Sequence, residues 1–85
     1  MMADDLRETL RTFILSTFLR GEPPETLKDS TRLLSSGIIA SVDLLELVTF
    51  IEEQLSVVLE QEDIGLDRMD SIDLLVELVR ERRAR

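Results

Sequence analysis

The chain has 85 residues, a formal net charge of −8, and no Cys, His, Tyr or Trp. That length suits one domain, 1–85, at the small end of what folds unaided. Without thiols there is no disulfide framework and no thiolate metal site, and without His the commonest general base and metal ligand is missing.

The charge is uneven. Residues 1–20 carry three acids and three bases, residues 21–70 carry twelve acids and three bases, and residues 71–85 carry three acids and four bases. The negative field therefore belongs to the middle of the chain, where it repels nucleic acid and anionic membrane and attracts basic protein surfaces. Residues 1–5, Met-Met-Ala-Asp-Asp, are acidic where a signal peptide would be basic, and no apolar run reaches membrane-spanning length. A cytoplasmic, monomeric domain without nucleic-acid or membrane partners is expected.

In chain order, a first helix is predicted over about 4–20. Leu6, Leu10, Phe13, Ile14 and Phe18 recur at three- and four-residue spacing and form one apolar stripe. Asp4 and Asp5 suit its first turn and Arg20 its last. Gly21 and Pro23-Pro24 stop it. The connection 22–40 lacks helical period, yet it carries Leu27, Leu33, Leu34, Ile38 and Ile39. A solvated linker has no use for five large apolar residues, so this long loop is expected to lie across the bundle.

A second helix is predicted over about 41–55. At about 100° per residue Leu44, Leu47, Val48, Ile51 and Leu55 share one side. Asp43, Glu46, Glu52 and Glu53 occupy the rest, interleaved with Val42, Leu45 and Thr49. A short helical segment is expected over about 61–67. Asp70 is expected to cap a last helix over about 71–82 with the stripe Ile72, Leu75, Val76, Val79 and Leu78 beside it. Arg80, Arg82, Arg83 and Arg85 crowd its carboxyl end, where cations suit the dipole. The sum is an all-α bundle of three main helices plus one short helix.

No catalytic constellation emerges. Ser41 has no His to activate it, and Asp43 and Glu46 form no triad with it. Glu62-Asp63-Ile64-Gly65-Leu66-Asp67 lacks the alternating Asp/Asn positions and terminal Glu of an EF-hand loop, so no metal site is expected. Taken alone, Ser41 reads as a helix N-cap, a role worth about 1 kcal/mol.

Residues 29–48, Asp-Ser-Thr-Arg-Leu-Leu-Ser-Ser-Gly-Ile-Ile-Ala-Ser-Val-Asp-Leu-Leu-Glu-Leu-Val, resemble the attachment region of acyl carrier proteins. In that family a loop ending in Gly-(Leu/Ile)-(Ile/Leu)-Asp-Ser-Leu enters a Glu-Leu-Val helix. Glu62-Asp63-Ile64 and Met69-Asp70-Ser71-Ile72-Asp73 resemble the family's short third helix and the start of its fourth. The resemblance covers roughly residues 27–79 and implies an acyl-carrier-like bundle with a long first loop.

It also implies a role of carriage rather than catalysis. A phosphopantetheinyl transferase would attach 4′-phosphopantetheine from coenzyme A to Ser41. Acyl or aminoacyl groups would then be held as thioesters for the loading and condensing enzymes of fatty acid, polyketide or related biosynthesis. Val42, Asp43, Leu45, Glu46, Glu52 and Glu53 would meet basic docking surfaces on those enzymes. Leu44, Leu45 and Ile64 would line a recess for the acyl chain. One departure stands out: Ala40 replaces the Asp that usually precedes the modified serine, and Val42 replaces the following Leu. Loss of that carboxylate slows modification, narrows the choice of transferase, or marks an unmodified carrier-like interaction subunit.

Overall fold

The computed structural model describes residues 3–84, and the side chains from Leu6 onward. Met1, Met2, the side chains of Asp4 and Asp5, and Arg85 lie outside the described residues. Four α-helices follow in order: α1 Ala3–Phe18, α2 Leu44–Gln54, α3 Leu66–Met69 and α4 Ile72–Arg83. Three short 3₁₀ turns, Pro24–Thr26, Ser41–Asp43 and Gln61–Asp63, punctuate the connections. Among the described residues the fold is all-α without a strand, and no helix is long and apolar enough to cross a membrane.

The stripes read from spacing converge. Leu10 and Ile14 of α1, Leu47 and Ile51 of α2, and Ile72, Leu75, Leu78 and Val79 of α4 are fully buried. The connection between α1 and α2 contributes as expected: Leu27, Leu33 and Ile39 are buried in the same cluster, and Leu34 and Ile38 pack against it. Val57 and Leu59 are buried while Val58 between them is 74 % exposed, the alternation of an extended segment.

Four boundaries differ from the periodicity. α2, expected from residue 41, begins at Leu44 after the 3₁₀ turn Ser41–Asp43. α1 ends at Phe18, before Arg20, with Gly21 in the left-handed region at φ +82°. The segment predicted as one short helix over 61–67 splits into the 3₁₀ turn Gln61–Asp63 and α3. Gly65, at φ +150°, makes the break between them. Asp70 does not cap α4: the cap is Ser71, whose Oγ accepts the Leu74 N–H at 3.1 Å.

Two ionic clusters fasten the helices. Arg7 Nη1 donates to Asp29 Oδ2 at 3.0 Å and to Asp73 Oδ1 at 2.6 Å. Arg11 reaches Asp29 and the Leu27 carbonyl. Together they tie α1 to the first connection and to the start of α4. At the opposite end of α4, Arg82 grips Asp63 in a fork, Nε to Oδ2 at 2.7 Å and Nη2 to Oδ1 at 2.5 Å. Asp63 also accepts the Glu60 N–H at 2.8 Å as half of a capping box. The pair is buried, with side-chain exposures of 1 % for Asp63 and 6 % for Arg82. The Arg82 hydrogen bond holds the Asp63 carboxyl below its ordinary pKa against the opposing effect of burial. Sequence placed Arg82 among the cations of a helix end; the structure adds that its side chain is buried against Asp63.

Removing one partner of such a pair strands the other, whereas replacing both with apolar groups need not destabilise. Asp63→Ala and Arg82→Ala are each expected to lower the urea midpoint clearly. The double variant Asp63→Leu/Arg82→Met is expected to recover much of that loss. A double variant as unstable as the sum of the singles would contradict this account.

Candidate functional site

The site is built where the first connection runs into α2. Gly37, at φ +88°, turns the chain back so that Ile39 can enter the core, and the Ile39 N–H donates to the Leu33 carbonyl at 2.9 Å. Ala40 then adopts an extended conformation (φ −75°, ψ 160°) and stands at the cap position of the 3₁₀ turn Ser41–Asp43. Ser41 is therefore the first residue inside the turn, not its cap. Its hydroxyl is exposed and makes no capping hydrogen bond, so the N-cap reading of this residue is corrected. The turn continues directly into α2, the Leu44 N–H donating to the Ser41 carbonyl. The first N–H groups of such a segment have no carbonyl partner within it.

What holds this loop in place is Asp70. Its Oδ1 accepts three successive backbone N–H groups, from Leu33 at 3.1 Å, Leu34 at 2.7 Å and Ser35 at 3.0 Å. Its Oδ2 accepts the Ser35 hydroxyl at 2.8 Å, and its carbonyl accepts the Leu33 N–H at 2.8 Å. Burial pushes this carboxyl up, but the hydrogen bonds from Ser35, Leu34 and Leu33 outweigh burial and hold it below its ordinary value. The carboxylate thus caps the turn at 33–35, thirty-five residues away in sequence from the nearest of its four side-chain bonds, rather than the helix that follows it.

Two depressions flank Ser41. One, of about 280 Å³, is lined by Leu34, Ser35 and Ile39 from the connection, Ser41 and Leu44 from the start of α2, and Gly65 and Leu66 from the α3 side. Its volume is just below the ~300 Å³ at which small-molecule pockets begin. Leu44, expected in an acyl recess, lines it. Leu45 and Ile64 do not; they are 72 % and 39 % exposed, and Gly65 and Leu66 stand where Ile64 was expected. Leu45, turned about 100° from Leu44 around the helix, lines the depression between α1 and α2 instead.

The other depression, of about 490 Å³, lies between α1 and α2 and brings together Val42, Leu45, Glu46, Thr49 and Glu53 with Phe13 and Phe50. Of the acidic set read from the sequence, Glu46 and Glu53 are exposed there, while Asp43 is half-buried and outside that lining. Glu52 is exposed but committed within the chain, its Oε2 accepting the Leu59 N–H at 3.1 Å. Sequence reasoning missed Phe50, Asp70 and Ser35. Only Asp70 had a local signal, its position before a helix, and that signal pointed to the wrong partner. Among the described residues no group of three or more acids could hold a metal ion. Compared with known proteins, the chain matches no family model and no curated protein.

Asp70→Ala leaves the Leu34 and Ser35 N–H groups and the Ser35 hydroxyl without their acceptor, while the Leu33 N–H keeps the Asp70 carbonyl, a loss of about 1–3 kcal/mol. Amide exchange at Leu34 and Ser35 is expected to accelerate. The pH dependence follows in sign. A carboxyl held below its unfolded value of 3.8 contributes stability above that pH and loses it as pH falls through the folded value. The stability gap between the native chain and Asp70→Asn should therefore narrow below about pH 3.8 in urea titrations; a constant gap would contradict a charged role for Asp70.

Proposed function

We propose that the chain is an acyl carrier protein whose attachment point is Ser41. The observation that carries this reading is the exposed, uncommitted hydroxyl of Ser41 at the amino end of the α2 segment, next to a recess. A phosphodiester there meets unpaired N–H donors and the positive end of the helix dipole, as anions at helix starts generally do. The residues present fit the group: Ala40 and Ser41 are both exposed, and no side-chain cap hydrogen bond is made at this turn. When attached, 4′-phosphopantetheine supplies a terminal thiol that holds acyl or aminoacyl groups as thioesters, chemistry that a cysteine-free chain cannot offer by itself.

The remaining work belongs to the chain's own side chains. Glu46 and Glu53 present carboxylates beside the apolar Val42 and Leu45, a pattern that suits brief docking to basic surfaces of a transferase and of loading and condensing enzymes. Exposed charges of this kind act mainly on the encounter rate and fade with salt. Leu34, Leu44 and Leu66 offer an apolar lining beside Ser41 into which the start of an acyl chain can fold. A second reading, an unmodified helical interaction subunit, is favoured by Ala40, which leaves no carboxylate immediately before Ser41.

Intact mass after incubation with coenzyme A, Mg²⁺ and a broad-specificity phosphopantetheinyl transferase decides between them. One phosphopantetheine adduct, abolished by Ser41→Ala, is expected, and Ala40→Asp should speed its formation. No adduct on either the native chain or Ala40→Asp would leave the interaction subunit. Glu46→Lys is further expected to slow modification several-fold at low salt and much less at high salt; equal rates at low salt would remove Glu46 from the docking face.

A further inference from the structure

The chain has three aromatic residues, all Phe, and none of them is in the buried core. Instead they gather on one face. Phe13 of α1 stacks on Phe50 of α2, with ring centroids 4.0 Å apart and planes inclined by 12°. Phe18 meets Phe13 edge-on at 5.8 Å and 85°. All three rings are half-buried. Large rings are ordinarily the first side chains a small domain commits to its interior, and at interfaces they supply most of the binding energy.

The stacked pair lies between two adjoining depressions that share both rings, of about 460 Å³ on the α1 side and about 490 Å³ on the α2 side. Val42 and Leu45, 86 % and 72 % exposed, extend the apolar floor along α2. Glu8 borders the α1 side, and Glu46 and Glu53 border the α2 side. Among the described residues, no Lys or Arg lines either depression. From Val42 to Glu53 the groove follows α2 for about 17 Å, the length of some three helical turns.

We infer that this α1/α2 groove is a docking site for a basic, amphipathic α-helix of a protein partner. The occupant's apolar stripe would cover the Phe13–Phe50 stack and Leu45, and its Lys or Arg residues would face Glu8, Glu46 and Glu53. Helix-in-groove recognition needs this combination of an apolar trough and rim charges of one sign. The same acidic rim excludes an anionic membrane or a nucleic acid as occupant. The inference rests on the docking reading of Val42, Leu45, Glu46 and Glu53 and deepens it: it adds the α1 wall of Glu8 and Phe13, names a helix as the occupant, and does not require Ser41 to be modified.

The test is an amide-shift titration of the unmodified, ¹⁵N-labelled chain with an amphipathic Leu/Lys peptide of roughly 18 residues, five helical turns. A scrambled peptide of identical composition runs beside it. The amphipathic peptide is expected to shift Thr9, Thr12, Phe13, Leu45 and Phe50, and the scrambled one to leave them in place. Phe50→Ala and Thr12→Lys, an exposed position on the α1 wall, should each weaken binding by about tenfold or more. Thr12→Lys guards against misreading an unfolded Phe50→Ala. Shifts that follow both peptides equally, that spread over all the acidic residues, or that survive Thr12→Lys at full affinity overturn the proposal. The peptide titration needs no prosthetic group and the mass measurement at Ser41 needs no peptide, so either can fail without the other.

Discussion

The long connection between α1 and α2 has no periodic backbone bonding of its own, and one carboxylate supplies what it lacks. Asp70 gathers three consecutive N–H groups and one hydroxyl of the turn at 33–35. Buried backbone donors must find acceptors somewhere, and a charged acceptor satisfies several at once. Because the turn is fixed, Leu33 and Ile39 can bury and Ala40 can hand the chain to α2 with Ser41 outward. Because Asp70 itself lies between α3 and α4, the same carboxylate fixes the two walls of the recess beside Ser41 relative to each other.

The other polar anchors divide the remaining task. Arg7 and Arg11 fasten α1 to the first connection through Asp29, and the Asp63–Arg82 fork fastens the α2–α3 connection to the end of α4. None of these contacts is local in sequence. They leave α2 held mainly by its apolar stripe, with most of the opposite surface exposed. That surface carries the exposed Leu45 and the carboxylates of Glu46 and Glu53, apart from the charges that fasten the fold. Glu52 crosses that division, since it sits on α2 yet bonds its own chain at Leu59.

A carrier and a docking subunit ask similar things of a small domain: a rigid frame, an acidic face and side chains that release partners readily. The site beside Ser41 and the α1/α2 groove lie on the two sides of one helix start, Leu44 facing one and Val42 with Leu45 facing the other. A partner seated in the groove would therefore approach Ser41 without covering the recess.

Hydrophobic period alone determined the helical class, the three main helices and the buried stripes of α1, α2 and α4, because a 3.6-residue repeat leaves one face that must be covered. The five apolar residues of the first connection likewise announced their burial. What only the tertiary structure decided was the fate of the polar groups and of side chains on the boundary of a stripe. Asp70, read as a local cap, bonds a turn brought near by folding; Arg82, read as a helix-end cation, forms a buried pair with Asp63; Phe13, read as part of the α1 stripe, packs half-buried against the core and also stacks on Phe50. Ser41 moved from cap to first residue of its turn because Ala40 took the extended conformation. Apolar spacing reports which residues must leave water, whereas a carboxylate, a guanidinium or a hydroxyl acquires its role only from the atoms that folding brings within about 3 Å of it.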